Sequence, residues 1–401
     1  MADVSLEDRG GVDVVVVGAG LAGAAAAIGF AQAGFAAASC GVPDRQGAGR
    51  TVALFGRSIA LLRRFGVWDE VEAAGSPLRT LRLVDATGSL FAPRPVEFRC
   101  QELGLEAFGW NVENARLADI LGRTLEALPG VKRFESPARA FAFGADSAAV
   151  TLADGREIRG ALVVGADGKN SQARKAAGLD VSIQPYGQSA LTLFLRHTRP
   201  HEDVSTEFHT RQGPFTLVPL PPAPGAPFRS SLVWLMSESE ANRRMSLSDA
   251  ALESEIERQS LGLLGSARIE AGRSAFRMVR QIVARLTGPR LALAGDAAHA
   301  FPPIGAQGLN LGLRDVEGLV GACVEARGAR QDIGSRAALG AYERARRADI
   351  GLRNLAVNGL NLSLLAPLAP VDAIRGFGLA TLGAFGPLRR FVMREGLSPS
   401  L

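Results

Sequence analysis

Hydrophobic and polar positions along the chain fall into two kinds of block. In the first, Val12–Val17 is apolar at every position except Asp13, the pattern of a strand covered on both faces in a parallel sheet. Gly18-Ala19-Gly20-Leu21-Ala22-Gly23 follows, then an alanine-rich helix runs to about Ala33 and Gly34 stops it. Phe35–Cys40 is a second strand, and Ser58–Phe65 and Leu117–Leu128 are helices. Ala161–Val164 and Leu291–Ala294 are further strands. Each delivers an aspartate to a glycine turn, Gly165-Ala166-Asp167-Gly168 and Gly295-Asp296. From Leu309 onward Leu313, Val316, Val320, Cys323 and Val324 recur at helical spacing.

In the second kind, residues 78–98 and 189–236 carry short apolar strands broken by proline, as in Gly213–Pro222 and Ser230–Met236. They predict a sheet inserted into the first domain, closed by a helix over Leu247–Leu264. No repeat of fixed period is present. Asn354 to Val371 and Gly376 to Leu388 are uncharged, but Pro367 and Pro370 interrupt them, and Arg375, Arg389, Arg390 and Arg394 flank the last part.

At 401 residues the chain exceeds one average core, so two or three lobes are expected, and a hydrophobic content of 47% excludes global disorder. The net charge of +5 is almost entirely arginine; the lysines are Lys132, Lys169 and Lys175. No basic stripe interleaved with aromatics is present, which argues against nucleic-acid binding and leaves attraction to anionic lipid or phosphate-bearing ligands. Cys40, Cys100 and Cys323 are scattered without metal or redox spacing, so a reducing, cytoplasmic compartment is expected. Val12 to Ala38 carries the single charge Asp13 and would attract a membrane or signal assignment. Asp3, Glu7 and Asp8 precede it and glycines punctuate it, so a buried strand, turn and helix accounts for it better.

The first glycine cluster matches G-x-G-x-x-G after a strand and at the opening of a helix. There the glycines admit a pyrophosphate and the helix supplies free N–H groups. A dinucleotide site usually carries an acid about 20 residues further on, for a ribose hydroxyl. Here Gly41 stands in that place, with Asp44 the nearest acid. Asp167 and Asp296 both lie past strand ends, the ligand edge of an open parallel sheet. An aspartate there is often a plain N-cap, but three such turns in order point to one shared ligand.

On these residues the chain resembles the class A flavin monooxygenases related to para-hydroxybenzoate hydroxylase, and most closely their ubiquinone-biosynthesis branch. The resemblance covers nearly the whole chain. It rests on 18–23, on 165–174 and on the long run 295–315, with weaker echoes at Arg50–Leu54, Gly66-Val67-Trp68, Asn114–Leu121 and Leu232-Val233-Trp234. It implies an α/β, Rossmann-like FAD-binding domain (1–75, 100–185 and 275–350), an inserted mixed or antiparallel substrate sheet (76–99 and 186–274) and a helical C-terminal tail (351–401).

The resemblance also assigns roles. Gly18, Ala19, Gly20, Leu21, Ala22 and Gly23 would hold the FAD pyrophosphate, with Arg50 and Asn114 beside the same cofactor. Asp167 would serve FAD and NAD(P)H, and Asp296 the ribityl chain. Gly305, Ala306, Gln307, Gly308, Leu309 and Asn310 would wrap the flavin ring, with Pro303 in the same loop. Two departures from the family pattern stand out: Gly41 replaces an acid, and Ala306-Gln307-Gly308 replaces Gly-Gln-Gly. The N-terminus of the helix near Leu309 would stabilise negative charge on the reduced flavin.

No catalytic side chain is assigned, because the cofactor carries the chemistry. His299 reads as a packing or hydrogen-bonding residue behind the Asp296 turn. His197, His201 and His209 are expected on strand or loop surface rather than at a metal, and Trp68, Trp110 and Trp234 in the core. The activity implied is hydroxylation of a polyprenylated phenol with NAD(P)H and O2. The apolar tail reads as packed helix, with peripheral association at the cytoplasmic membrane face through its flanking arginines as the alternative. A small soluble phenol or polyketide is the alternative substrate. An isoprenoid double-bond reductase and a non-catalytic FAD-binding partner are the alternative classes. No W-x-W-x-I-P segment supports a halogenase.

Overall fold

A computed structural model describes residues 11–43, 49–88, 94–300, 307–365, 381 and 385–397. In chain order, β1 (Val12–Val17), α1 (Leu21–Gln32) and β2 (Ala37–Cys40) are followed by β3 (Thr51–Phe55), α2 (Gly56–Arg64), α3 (Trp68–Ala73) and β4 (Gly75–Leu78). Next come β5 (Thr80–Asp85), β6 (Val96–Arg99), β7 (Gly109–Glu113), α4 (Asn114–Ala127), β8 (Val131–Phe134), β9 (Ala138–Phe143), β10 (Ala148–Leu152), β11 (Glu157–Gly165) and α5 (Gln172–Ala176). The chain then forms β12 (Val181–His197), β13 (Val204–Thr210), β14 (Gly213–Leu220), β15 (Arg229–Ser237), α6 (Glu238–Met245), α7 (Asp249–Gln259) and β16 (Ala267–Val283). It closes with β17 (Thr287–Gly288), β18 (Leu291–Leu293), β19 (His299–Ala300), α8 (Gln307–Gly328), α9 (Arg336–Leu365) and α10 (Gly386–Leu397).

The first sheet has the order β17-β18-β11-β1-β2-β8, with β10 and β9 continuing from β11. Its central pairings are parallel, and Val14, Val15 and Val16 are wholly buried in the first core. Each such side chain contributes about 1.5–3 kcal/mol on burial. Alanine favours the helix at α1 and keeps it thin enough to pack on all sides. Val316 and Val320 of α8 come down on Gly29. The helix ends in a Schellman motif: Gly34 N–H donates to Ala31 O (2.9 Å), Phe35 N–H to Phe30 O (3.0 Å), and the two phenyl rings meet edge-on. Phe35 belongs to that cap, so β2 starts at Ala37, later than the apolar pattern suggested.

The second sheet runs β19-β16-β12-β15-β14-β13-β5-β6 and is mixed, since β13 and β5 pair in parallel while their neighbours are antiparallel. Leu191, Leu193 and Leu195 turn one face towards α6 and α7, where Trp234 meets Phe215 edge-on and the Arg244 guanidinium lies over the indole. The opposite face carries Ala190, Leu235 and Met278 with Tyr186, Val233 and Phe276. A third, small sheet, β3-β7-β4, lies between the two.

Three expectations change. The helix expected over Leu247–Leu264 is α7 alone; beyond Gln259 the chain turns through Leu261, Gly262 and Gly265, all at positive φ. The 17-residue β16 was not anticipated, because arginines and Gly272 mask its alternation. It and β12 run across the expected boundaries at 185–186 and 274–275, so Val181 and Val283 pack in the first core while Leu195 and Ala267 pack in the second. The third change concerns histidine: His197 and His209 are buried, not superficial. His197 bonds Arg199 O and Ser230 Oγ, and His209 bonds Glu207 at 2.8 Å. Trp68 and Trp234 are core residues as expected, with Trp110 half-buried against Trp68.

Candidate functional site: a cofactor cleft at the strand ends

The three glycines of the first turn have distinct physical jobs. Gly18 has φ +118°, and a Cβ there would stand 2.3 Å from Ala166 O. A Cβ on Gly23 would stand 1.9 Å from Gly18 O, so the turn closes only without one. A Cβ on Gly20 would meet no atom within 4 Å, because that position faces the cleft. Gly20 caps α1 with no side-chain acceptor, and the first helical bond is Ala24 N–H to Gly20 O. Among the described residues the N–H groups of Leu21, Ala22 and Gly23 therefore stay unspent at the positive end of the helix, the arrangement that receives a phosphate.

The turn forms one wall of a cleft of about 460 Å³. Ser39 and Gly41 from the end of β2, and Arg133 and Glu135 from β8, form its outer end. Arg50 and Asn114 enter from the small sheet, joined through Asn114 N–H to Arg50 O at 3.0 Å. Ala166, Gly168, Asp296, Gly308 and Leu309 complete it, so segments far apart in sequence converge as expected. Asn114 Oδ1 is buried in this wall with no hydrogen-bond partner among the described residues, and a buried polar atom of that kind calls for a ligand. With the open face of Gly20 and the free helix N–H groups, the donor set fits a dinucleotide.

Asp167 and Asp296 behave differently. The Asp167 carboxylate accepts from Ser171 Oγ (2.5 Å), Gln172 N–H (2.6 Å) and Ala173 N–H (3.1 Å), so it caps α5. Its neighbours Ala166 and Gly168, not its carboxylate, line the cleft. Asp296 stands on a single 3-10 turn, exposed between the buried Gly295 and Ala297, and projects into the cleft.

Behind that turn lies a buried network that sequence reasoning missed. Asp315 accepts from His299 Nε2 (2.7 Å), Arg346 Nε (2.8 Å) and Gly295 N–H (2.9 Å). Burial alone would raise the Asp315 carboxyl, but His299 and Arg346 outweigh it and hold it below the usual carboxylate range. His299 is thus the hydrogen-bonding residue expected behind the turn. The available signal was an acid at 315 inside the apolar stripe of α8, where it needs a buried partner.

Asn310 also turns inward. Its Nδ2 donates to Ala53 O, and its Oδ1 accepts from Ser58 Oγ and Phe55 N–H, which pins α8 to β3 and α2. Cys40 ends β2; burial first, then the Asp167 charge, pushes its thiol up to about 12, so it stays neutral and unreactive. Pro303, Gly305, Ala306 and Asp44 lie outside the described residues, as does the side chain of Gln307. β19 lies at an edge of the second sheet, where Ala300 pairs with Gln281 of β16. The Ala190–Leu235–Met278 face of that sheet looks towards the small sheet, since Ser231, two residues before Val233 on β15, meets Thr51 at 3.0 Å.

Comparison with known proteins agrees with this geometry. A family described as the FAD binding domain matches residues 11–350. The chain is 34% identical over 394 residues to ubiquinone hydroxylase UbiL of Rhodospirillum rubrum, covering 96% of this chain and 89% of that one. It is 32% identical to 3-demethoxyubiquinol 3-hydroxylase of Escherichia coli, over 96% and 98% of the two chains. The solved p-nitrophenol 4-monooxygenase of Pseudomonas putida DLL-E4 shares the fold at a TM-score of 0.77 and 19% identity, covering 97% of this chain and 99% of that one. The chain therefore belongs to the FAD-binding family of class A flavin monooxygenases and is itself an FAD-dependent monooxygenase, grouping with the ubiquinone hydroxylases.

Proposed function

We propose that the chain hydroxylates the ring of a polyprenylated phenol in ubiquinone biosynthesis, using NAD(P)H and O2. The observation that carries the substrate class is the apolar face of Ala190, Leu235 and Met278, with Tyr186, Val233 and Phe276, on the side of the second sheet that looks towards the small sheet. A face of that composition suits an uncharged ring with a hydrocarbon tail. The hydroxylase names of the two relatives support the same reading.

In this reading the N–H groups of Leu21, Ala22 and Gly23 hold the pyrophosphate of FAD, and Arg50 and Asn114 bind beside it. Asp296 would accept from the ribityl hydroxyls, and the backbone at Gly308 and Leu309, which line the cleft, would border the ring. Bound FAD supplies hydride acceptance and oxygen activation. The chain's own part is positional and electrostatic. The N-terminus of α8 favours negative charge on the ring's side, and Asp315 with His299 keeps the Asp296 turn in place.

Among the described residues no helix is long and apolar enough to cross a membrane. On α10 and just before it, Phe385, Leu388 and Phe391 are exposed beside Arg390 and Arg394, a composition suited to the surface of an anionic bilayer that carries such a substrate. The test is rapid anaerobic mixing of NAD(P)H with the holoprotein across a panel of prenylated and short-chain phenols. Faster flavin reduction with the prenylated members supports the reading, and faster reduction with soluble phenols alone overturns it. Turnover completed without O2 would identify a reductase instead.

A further inference from the structure

We propose that Glu135, at the end of β8, takes the place of the acid missing from β2 and binds the ribose hydroxyls of the adenosine half of FAD. This rests on the cofactor reading above and adds a residue to it. At Gly41 no acid can stand: φ is +144°, and a Cβ there would lie 2.8 Å from Ala19 N. The adjacent strand is in register, with Ser39 opposite Arg133, Cys40 opposite Phe134, and Gly41 N–H donating to Phe134 O at 3.1 Å. The next residue, just past the end of β8, is Glu135, which the continued register sets beside Gly41.

Strands in a sheet are about 4.8 Å apart, a displacement within the reach of a glutamate side chain. Residues two apart on a strand share a face, and Ser39, Gly41, Arg133 and Glu135 all border the same cleft. Glu135 is held only loosely: its side chain is 65% exposed, and its one ion pair among the described residues, to Arg133, is 3.8 Å long. Arg133 has a closer partner in Glu126 at 2.6 Å, so Glu135 can turn to a diol without stranding a charge. An ionised carboxylate accepting from hydroxyls forms the stronger, charge-assisted kind of hydrogen bond.

The test loads the parent holoprotein and Glu135→Gln with FAD, with FMN, or with an FAD analogue carrying 2′-deoxyadenosine. Dissociation on dilution is read from the gain in flavin fluorescence. Glu135→Gln should bind FAD about tenfold more weakly, equal to ~1.4 kcal/mol, and FMN as the parent does. The deoxy analogue should bind the parent about tenfold more weakly than FAD and show no further loss in Glu135→Gln. Equal FAD affinity in parent and variant overturns the assignment, as does undiminished discrimination against the deoxy analogue in the variant. A parent that retains no FAD overturns the cofactor reading itself, and Glu135's role with it. Circular dichroism of the variant, altered at an exposed position, reports any change of fold separately.

Discussion

His299 Nε2 lies 2.7 Å from Asp315 Oδ2 with both side chains sealed from solvent, and the same Asp315 oxygen receives the N–H of Gly295, the residue before Asp296. The Asp315 carboxylate, which is also ion-paired with the buried Arg346, therefore fixes the backbone of the turn that presents an acid to the cleft. Replacing one partner leaves a charge unmatched in the interior, at a cost of about 3–5 kcal/mol. Asp315→Ala should lower the urea midpoint accordingly and also release flavin faster on dilution. An unchanged midpoint would show that the network holds nothing.

The same carboxyl sets an acid limit on stability. Its folded pKa is held below the unfolded value of about 3.9, so its contribution is complete above that value and is lost as pH falls through the folded pKa. Melting temperatures of the parent and Asp315→Asn, taken from pH 7 down to about pH 2, should keep a constant gap above about pH 4 and narrow progressively below it. A gap independent of pH would contradict the assignment.

Two glycines in one turn should respond oppositely to one added methyl. Gly23→Ala places a carbon against Gly18 O at 1.9 Å and forces the turn open, at a cost of at least the ~1–3 kcal/mol of an overpacked site. Gly20→Ala meets only the open cleft, so its melting temperature without flavin should match the parent's while FAD binds about tenfold more weakly. Thermal melts with and without FAD separate the two.

Arg229 ties the second sheet to the small one. Its Nε lies 2.8 Å from Glu270, its second amino group 3.1 Å from Glu113 of β7, and its first donates to Pro221 O. Hydrogen bonds to charged groups are worth about 1.5–3 kcal/mol, and the two carboxylates are partly exposed, so Arg229→Met should cost near the low end of that range. Denaturant titration measures it, and an unchanged midpoint would show that the link is incidental.

Restoring the acid on β2 should not help. Gly41→Glu brings a Cβ against Ala19 N at a left-handed position, so its melting temperature should fall and its FAD affinity should not exceed the parent's. Tighter binding in this variant would show that the turn relaxes to admit the side chain.

Much of this was written locally. The all-apolar β1, the alanine run of α1 and the aspartate-bearing turns at 165–168 and 295–296 follow from periodicity, propensity and turn chemistry, which act over a few neighbouring residues. The three turns in order sufficed to indicate one cofactor and the family. What depended on register and burial was not written there. The alternation of β16 is interrupted by arginines and Gly272, and becomes a strand because β12 pairs along it. Asp167 and Asp296 look alike in sequence, yet one is consumed by the N-terminus of α5 while the other is exposed to the cleft. Asp315 meets Arg346, and Glu135 comes beside Gly41, only when distant segments pack. A side chain's partner across a sheet or under a helix is set by the three-dimensional register, and no short-range pattern in the chain records it.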